Sequence, residues 1–421
     1  LQSILTRRIQ KNSLASSYAS LERILDNVGS AVYVRDLHTG KILFANNNMR
    51  RTFELELKRQ MIRDIFEHSI ENDKGVCEIY YTKRDRWYDL YYTKMPWVDG
   101  SDPNWQAEKA KYQGKTLDDS NSANRFRDWG LLPYWFRAVE KFTPWVHKIH
   151  FITWGHIPEF LNTENPKLHI VRHEDYLPVE YRPTFNANTI EMNIHRIDGL
   201  SEHFVYFNDD TFILRPMAES SFFANELPCT FGAEVPFSVT GQAGIWQHLI
   251  VNDLRTVNTH FNKREQVHKN ACKYRSSVYG IKTNIRTLAA EKLFPENFLG
   301  FQNLHAPAAF LKSTFEEIWR KEPKLLHETS KHHFRTSDDV NQWLALWWQV
   351  ASGAFTPRLV DNVVMGVDDS TIEGICSIIA RQCHDMICLN DPSEKIDFLR
   401  VMMRLQNMFQ GILPNKCQFE R

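Results

Sequence analysis

The sequence has no surplus of charge, no paired cysteine motif and no long apolar run. Its 421 residues contain 51 lysines and arginines and 51 aspartates and glutamates, a balance that argues against a generic nucleic-acid binder. Seven scattered cysteines without a Cys-x-x-Cys pair argue against a disulfide framework or zinc ribbon and favour a reducing compartment. The longest nearly apolar window, 343–355, is broken by Gln349 and Ser352 and is shorter than the roughly 20 residues of a membrane span.

The amino-terminal residues also lack the apolar core of a signal peptide. Residues 1–18 are polar, with basic Arg7, Arg8 and Lys11, and no small-residue cleavage site follows them. We therefore expect a protein that is not exported and that has no transmembrane segment. With 43% hydrophobic and 13% aromatic residues, the chain has enough apolar mass for two or three folded domains.

Residues 20–96 have the pattern of a small α+β unit, behind a predicted helix or linker of residues 1–19. Two predicted strands, 76–82 and 87–94, are rich in β-branched and aromatic residues and flank a charged turn. The stretches GSAVYVRDLHTGKILFANNNMRRTF and GVCEIYYTKRDRWYDLYYTKMPWVDG resemble a PAS sensor domain. The strand that normally closes such a domain is missing here, so we expect an incomplete PAS-like segment.

From Trp97 onward, strands and helices alternate. Short apolar runs predict strands at 148–154, 168–172 and 203–207. Ile190, Ile194 and Ile197 share one helical face between the last two strands. This succession predicts an α/β fold with a doubly wound, mostly parallel sheet, Rossmann-like and glycosyltransferase-A-like, with helical additions after it.

Two acidic motifs follow predicted strands. In WVDGSDPNW, Asp99 and Asp102 flank Gly100 on a tight turn, where open α/β sheets bind ligands, although an ordinary turn accounts for the same residues. In HFVYFNDDTFI, an apolar strand leads directly to Asp209 and Asp210. Carboxylates in that position suit a hard cation such as Mg²⁺ on a pyrophosphate, because an adjacent charged pair beside a buried strand costs stability unless it binds something.

Two further motifs carry groups for proton transfer and phosphate binding. His305 in NLHAPAAF stands just before a predicted helix, and its imidazole suits proton abstraction near neutral pH; a surface or core histidine is the alternative. In HHFRTSDDVNQWL, Ser337 resembles an N-cap, with Asp338 and Asp339 in the first helical turn. Arg335 before this helix is placed to contact a phosphate, and a capped surface helix is the alternative.

These motifs and the segments around them resemble one family, over about residues 97–421. The blocks WVDGSDPNW, NRFRDWGLLPYWFRAVEKFTPWVHKIHFITWGHIPEFLNTENPKLHIVRHEDYLP, TFNANTIEMNIHRIDGLSEHFVYFNDDTFI and ICLNDPSEKIDF…ILPNKCQFE are similar to the conserved regions of the Stealth family. That family comprises bacterial capsule and cell-wall hexose-1-phosphate transferases and the catalytic part of the lysosomal-enzyme GlcNAc-1-phosphotransferase.

The resemblance implies transfer of a hexose-1-phosphate or N-acetylhexosamine-1-phosphate from a UDP-sugar to a glycan hydroxyl, with release of UMP. It also implies a divalent cation, Mg²⁺ or Mn²⁺, held by the two adjacent aspartates. The implied catalytic residues are His305, Asp209, Asp210 and Arg335. The implied substrate-binding residues are Asp99, Gly100, Asp102, Asn208 and Arg125.

The expected partners are thus a UDP-sugar donor and a polysaccharide or glycan acceptor, without nucleic acid. The expected location is the cytoplasm, with a peripheral position at the inner face of the plasma membrane as an alternative, and the oligomeric state is left open. Two other functions compete with this interpretation. One is a metal-dependent glycosyltransferase that releases UDP, and the other is a sensory or interaction protein governed by the PAS-like segment.

Overall fold

The computed structural model describes most of the chain from residue 129 onward and parts of the chain before it. It divides the chain into two compact units, Leu1–Trp97 and Val98–Arg421. The described residues are 31–35, 42–53, 74–81, 86–93, 111–112, 129–238, 244–302, 305–391, 396 and 398–421.

The described residues of the amino-terminal unit form two antiparallel strand pairs and one short helix. Its strands are β1 (Tyr33–Arg35), β2 (Ile42–Ala45), β3 (Lys74–Tyr81) and β4 (Arg86–Thr93), and its helix is α1 (Asn47–Thr52). Strand β1 pairs with β2, and β3 pairs with β4. The buried Asn46 begins the helix, because its side-chain oxygen accepts hydrogen bonds from the backbone N–H groups of Met49 and Val32, both at 2.9 Å. The PAS-like identity of this unit stays a prediction.

The second unit contains ten described strands in small sheets. They are β5 (Ile149–Thr153), β6 (Leu168–Arg172), β7 (His203–Tyr206), β8 (Thr211–Ile213), β9 (Phe223–Ala224), β10 (Leu227–Thr230), β11 (Ala308–Leu311), β12 (Thr356–Pro357), β13 (Asn362–Gly366) and β14 (Met386–Asn390). The sheet orders are β5-β6, β11-β7, β12-β10-β9 and β13-β14-β8. The three strands that apolar runs predicted are therefore present, as β5, β6 and β7.

Eleven described helices belong to this unit, and three long ones follow one another after β10. They are α2 (Leu132–Phe142), α3 (His173–Tyr176), α4 (Ala187–Met192), α5 (Ile245–His260), α6 (Lys263–Tyr274), α7 (Gly280–Leu293), α8 (Lys312–Lys321), α9 (Pro323–Lys331), α10 (Gln342–Ser352), α11 (Ile372–Arg381) and α12 (Phe398–Ile412). The α/β class is confirmed. Among the described residues, no helix is both long enough and apolar enough to cross a bilayer.

A doubly wound, mostly parallel sheet is not confirmed in the described residues. The pairs β5-β6, β10-β12 and β13-β14 are parallel, but β7-β11, β8-β14 and β9-β10 are antiparallel. Strand β7 pairs with β11, which lies about a hundred residues later in the sequence, and with none of the described strands that precede it. The order of strands along a chain does not encode such long-range pairing, which is why the sequence pattern predicted the wrong connection.

The pair β7-β11 separates two hydrophobic cores. Because side chains alternate across a strand, Phe204 and Tyr206 pack against one core while Val205 and Phe207 pack against the other. The first core is built around α10, whose Trp347 and Trp348 are almost fully buried. The nearly apolar window of the sequence is thus the central helix of a core.

The segment before α10 is organised differently from the prediction. The helix begins at Gln342, with Asn341 as its N-cap, so Asp338 and Asp339 do not lie in its first turn. Asp339 is instead completely buried and accepts hydrogen bonds from several donors. These donors are Asn186 Nδ2 at 2.9 Å, Asn188 Nδ2 at 3.0 Å, Thr336 Oγ1 at 2.9 Å, Thr336 N at 3.1 Å and His332 Nδ1 at 2.6 Å.

The first prediction concerns this buried carboxylate. Asp339→Asn keeps the shape of the side chain but turns an N–H group toward existing donors, so we expect it to lower the free energy of unfolding by about 2–4 kcal/mol. Urea unfolding followed by tryptophan fluorescence measures the change. Asp338→Asn at the neighbouring exposed position is the control and should change stability by less than about 0.5 kcal/mol. Equal stabilities of the two variants would contradict the buried network.

Candidate active site

The acidic motif forms the turn between β7 and β8. The carbonyl of Asn208 accepts hydrogen bonds from the backbone N–H of Thr211 at 3.3 Å and from its hydroxyl at 2.9 Å, which closes the turn. The carbonyl of Asp210 accepts a hydrogen bond from the N–H of Leu389 on β14 at 2.8 Å. Because both ends of the turn are bound to strands, the side chains between them project from a rigid base.

The antiparallel register of β7 and β11 brings His305 to this turn. Tyr206 at the end of β7 pairs with Ala308 at the start of β11, so residues after the first meet residues before the second. His305 therefore precedes a strand, and the sequence prediction of a helix directly after it was wrong. The side-chain amide of Asn362 on β13 donates a hydrogen bond to the His305 carbonyl at 2.9 Å and fixes the backbone.

The imidazole of His305 faces the acidic turn through its Nε2 atom. This atom lies 3.6 Å from Asp210 Oδ2 and 3.1 Å from Asn208 Nδ2. An amide nitrogen only donates, so in this contact Nε2 is the acceptor and carries a lone pair. The side chains of His305 and Asp210 are 35% and 26% exposed, which leaves them accessible to a substrate.

Asp210 offers an oxygen that no described residue satisfies. Its Oδ1 atom is buried and has no hydrogen-bond partner in the described part of the chain. The Cys388 thiol donates to Oδ2 at 3.4 Å, and burial followed by the nearby Asp210 raises the pKa of this thiol. One ligand atom from each of Asp210, His305 and Cys388 lies within 4.8 Å of the others. The carboxylate suits a hard divalent cation, whereas the protonated thiol acts as a donor that orients it.

Arg335 lies near Tyr206, the last residue of β7, and near Glu191. Its half-buried side chain forms no ion pair or hydrogen bond with any residue that the structure describes, but it lies close enough to Glu191 to lower that carboxyl's pKa, against the larger increase caused by burial. Tyr206 donates a hydrogen bond to Glu191 Oε1 at 3.1 Å. Burial raises the pKa of Tyr206, and the charges of Asp209 and Arg335 also act on it, in opposite directions.

Of the residues predicted from sequence, the structure thus groups Asn208, Asp209, Asp210 and His305 after the end of β7. Arg335 lies close enough to Tyr206, the last residue of that strand, to act on its pKa. Asp99, Gly100, Asp102 and Arg125 lie outside the described residues. Tyr112, which lies between Asp102 and Arg125 in the sequence, is described, and its ring centroid lies 4.5 Å from that of His333, two residues before Arg335.

Sequence reasoning missed four residues that hold this arrangement. Cys388 was treated only as one of seven scattered cysteines, although it lies within the apolar run that forms β14. Asn362, Glu191 and Tyr206 lie in strands or helices and resemble ordinary surface or core residues. A glutamate on the inner face of a predicted helix was the available signal, because isolated acids are rarely buried without a reason.

Comparison with known proteins identifies the family. The Stealth conserved regions 1, 2 and 3 match residues 96–116, 125–230 and 304–348. A capsular polysaccharide phosphotransferase, WcwK of Streptococcus pneumoniae, is 39% identical over 332 residues, which cover 78% of this chain and 98% of the relative. The chain belongs to the Stealth family.

Other Stealth relatives are similar over the same proportion of the chain. The receptor polysaccharide phosphotransferase WefC of Streptococcus gordonii is 36% identical and covers 77% of this chain and 97% of its own length. The exopolysaccharide phosphotransferase cps2G of Lactiplantibacillus plantarum is 34% identical, with 77% and 94% covered. The three matched regions contain every site residue predicted from sequence. The resemblance of the closing segment to a fourth region stays a prediction.

A further buried carboxyl, that of Asp253, lies close to Glu191. Asp253 on α5 is completely buried, and its Oδ1 atom accepts a hydrogen bond from Asn341 N at 3.3 Å, while Oδ2 has no partner among the described residues. Burial raises the pKa of Asp253 well above its usual value, and Glu191 adds to the increase. The native state therefore retains a proton that the unfolded chain releases, so stability falls as pH rises through the unfolded pKa toward the folded pKa.

The second prediction concerns this fall in stability with rising pH. Asp253→Asn removes the titrating group, so its free energy of unfolding relative to that of the wild type should increase as pH rises. Urea unfolding at a series of pH values measures this difference. Asp198→Asn, at an exposed position, should leave the profile unchanged. A difference that does not vary with pH would show that Asp253 is ionised in the folded protein.

Proposed function

We propose that this Stealth protein is a transferase that moves a sugar-1-phosphate from a UDP-sugar to a hydroxyl of a glycan acceptor and releases UMP, in the synthesis of a cell-surface polysaccharide. The observation that carries the proposal is the contact of His305 Nε2 with Asp210 Oδ2 at 3.6 Å and with Asn208 Nδ2 at 3.1 Å. This contact places an imidazole that carries a lone pair beside a carboxylate that suits a cation. The relatives' names, which specify phosphotransferases of capsular, receptor and exopolysaccharides, support the same reaction class.

In the proposed step, the acceptor oxygen attacks the β-phosphorus of the UDP-sugar. A bond forms between that oxygen and phosphorus, the bond from the β-phosphorus to the bridging oxygen breaks, and UMP leaves with the electron pair. His305 Nε2 takes the proton from the attacking hydroxyl. The bond between the sugar's anomeric carbon and its oxygen stays intact, so the product is a phosphodiester with unchanged anomeric configuration.

Charge neutralisation supplies most of the catalysis in phosphoryl transfer, because the transition state spreads negative charge over the phosphate oxygens. Arg335 suits this role, since its guanidinium has no partner within the described residues and offers a fork of donors. Asp210, and with it Asp209, would hold a divalent cation, Mg²⁺ or Mn²⁺, whose bound charge offsets that of the diphosphate. The Asn208 amide donates to His305 Nε2, and the acceptor hydroxyl would replace it there.

His305 Nε2 does not serve as base and as metal ligand at the same time, because both roles use the same lone pair. The exposure of the ring favours the role of base, because an acceptor hydroxyl would take the place of the Asn208 amide at Nε2. The nearby buried oxygen of Asp210 provides a cation with a ligand that does not need His305. We therefore assign proton transfer to His305 and metal binding to the two aspartates.

The third prediction tests this assignment with the purified chain, a panel of UDP-sugars and a glycan acceptor. We expect release of UMP, and His305→Ala should reduce turnover by at least a hundredfold, the usual contribution of a positioned general base. His327→Ala is the matched control, because its ring is 41% exposed and lies 3.8 Å from Glu180 Oε1. The control should retain activity. Release of UDP would instead support an ordinary glycosyltransferase and reject the proposal.

Binding of Mn²⁺ to the same His305→Ala variant separates the two roles of the ring. If His305 is the base, titration calorimetry should give an affinity close to that of the wild type. Asp210→Asn should weaken Mn²⁺ binding by tenfold or more, because it removes the charged oxygen ligand. Loss of Mn²⁺ binding in His305→Ala would make the imidazole a ligand and require another base.

A further inference from the structure

Helix α7 presents an apolar stripe to solvent. Ile281, Ile285 and Leu288 stand at i, i+4 and i+7 and are 80%, 62% and 37% exposed. The opposite side of the helix packs inward through Thr287 and Ala290. A surface helix normally turns its apolar face to the core, so this stripe faces the wrong way for a water-soluble surface.

Two further apolar residues are exposed at the carboxyl-terminal end of α7. Leu293, its last residue, is 72% exposed, and Phe294 after it is 51% exposed. Together with Ile281, Ile285 and Leu288, they make five exposed aliphatic and aromatic side chains in one short segment. We call residues 281–294 the apolar ridge.

The ridge lies in a strongly basic part of an otherwise neutral chain. Eight lysines and arginines and two glutamates occur from residue 263 to residue 293, whereas the whole sequence has a net charge of zero. Lys282 and Arg286 are exposed next to the apolar stripe and form no ion pair with any described residue. Aliphatic and basic side chains on one exposed helix are the pattern of a helix that binds an anionic membrane surface.

A cavity of about 340 Å³ lies next to the carboxyl-terminal end of the ridge. Its lining includes Arg264, His268 and Arg275 from the α6 segment and Glu291 and Pro295, which flank the exposed Leu293 and Phe294. Arg264 and Arg275 also pair with Glu296 and Glu291, at 2.9 Å and 3.7 Å. The cavity thus brings further basic side chains to the end of the ridge, where Glu296 and Glu291 pair with two of them.

We propose that the apolar ridge docks this protein on an anionic phospholipid bilayer. The aliphatic side chains of α7 enter the boundary between headgroups and acyl chains, while Lys282 and Arg286 lie at the level of the lipid phosphates. This proposal goes beyond the catalytic one and does not depend on it. A second copy of the chain fits the ridge less well, because a symmetric contact would oppose two surfaces of the same positive charge.

The fourth prediction is binding of the full chain to vesicles of phosphatidylglycerol and not to vesicles of phosphatidylcholine alone. Co-sedimentation should show a tenfold or greater loss of binding for the triple variant Ile281→Ser, Ile285→Ser, Leu288→Ser. Lys282→Ala and Arg286→Ala should each weaken binding about fivefold, which corresponds to ~1 kcal/mol per charge near the surface. Because all five positions are exposed, thermal unfolding should be nearly unchanged.

The control is a triple serine variant at other exposed apolar positions, Val179, Leu359 and Met403, and it should bind like the wild type. The absence of binding to anionic vesicles would overturn the proposal, and so would equal binding by the ridge variant. Sedimentation velocity without lipid tests whether a second copy of the chain binds the ridge instead. A dimer that the ridge variant converts to a monomer would assign the ridge to self-association and reject the membrane.

Discussion

The antiparallel pairing of Tyr206 with Ala308 determines where the functional groups meet. It places the residues that follow β7 against the residues that precede β11, so that Asp210 and His305 become neighbours although 95 positions separate them in the sequence. A shift of this register by one residue would turn the side chains of β7 to the opposite core. Because both faces of the strand are packed, the two cores and the site depend on the same register.

Buried polar groups hold the segment that carries Arg335 in place, at a cost in stability. Asp339 joins the segment that carries Arg335 to Asn186 and Asn188 beside α4, and Glu191 joins α4 to Tyr206. Burial of these carboxylates is unfavourable by itself, and the hydrogen bonds offset part of that cost while they specify one arrangement. The Arg335 side chain is thereby left without an ion pair within the described residues, as an anion-binding role requires.

Local patterns were enough to predict the strands and the residues that end them. Short apolar runs located β5, β6 and β7, and adjacent acids after β7 indicated a ligand site. Pairing was beyond these patterns, because the partner of β7 is a distant strand chosen by packing on both faces. Cys388 and Glu191 were missed for the same reason, since their chemistry depends on neighbours far away in sequence. Arg335 was predicted from its position before a helix and from the family resemblance, although the helix itself begins later, at Gln342.

The most direct test of the account follows one oxygen atom. The substrate is a UDP-sugar in which the oxygen atom between the anomeric carbon and the β-phosphorus is oxygen-18. After conversion by the protein, the polysaccharide product and the released nucleotide are analysed by mass spectrometry. Attack at phosphorus, with His305 as base, predicts that the label stays in the phosphodiester product and that the UMP is unlabelled. Label in released UDP would mean that the anomeric bond is broken, which would contradict the account.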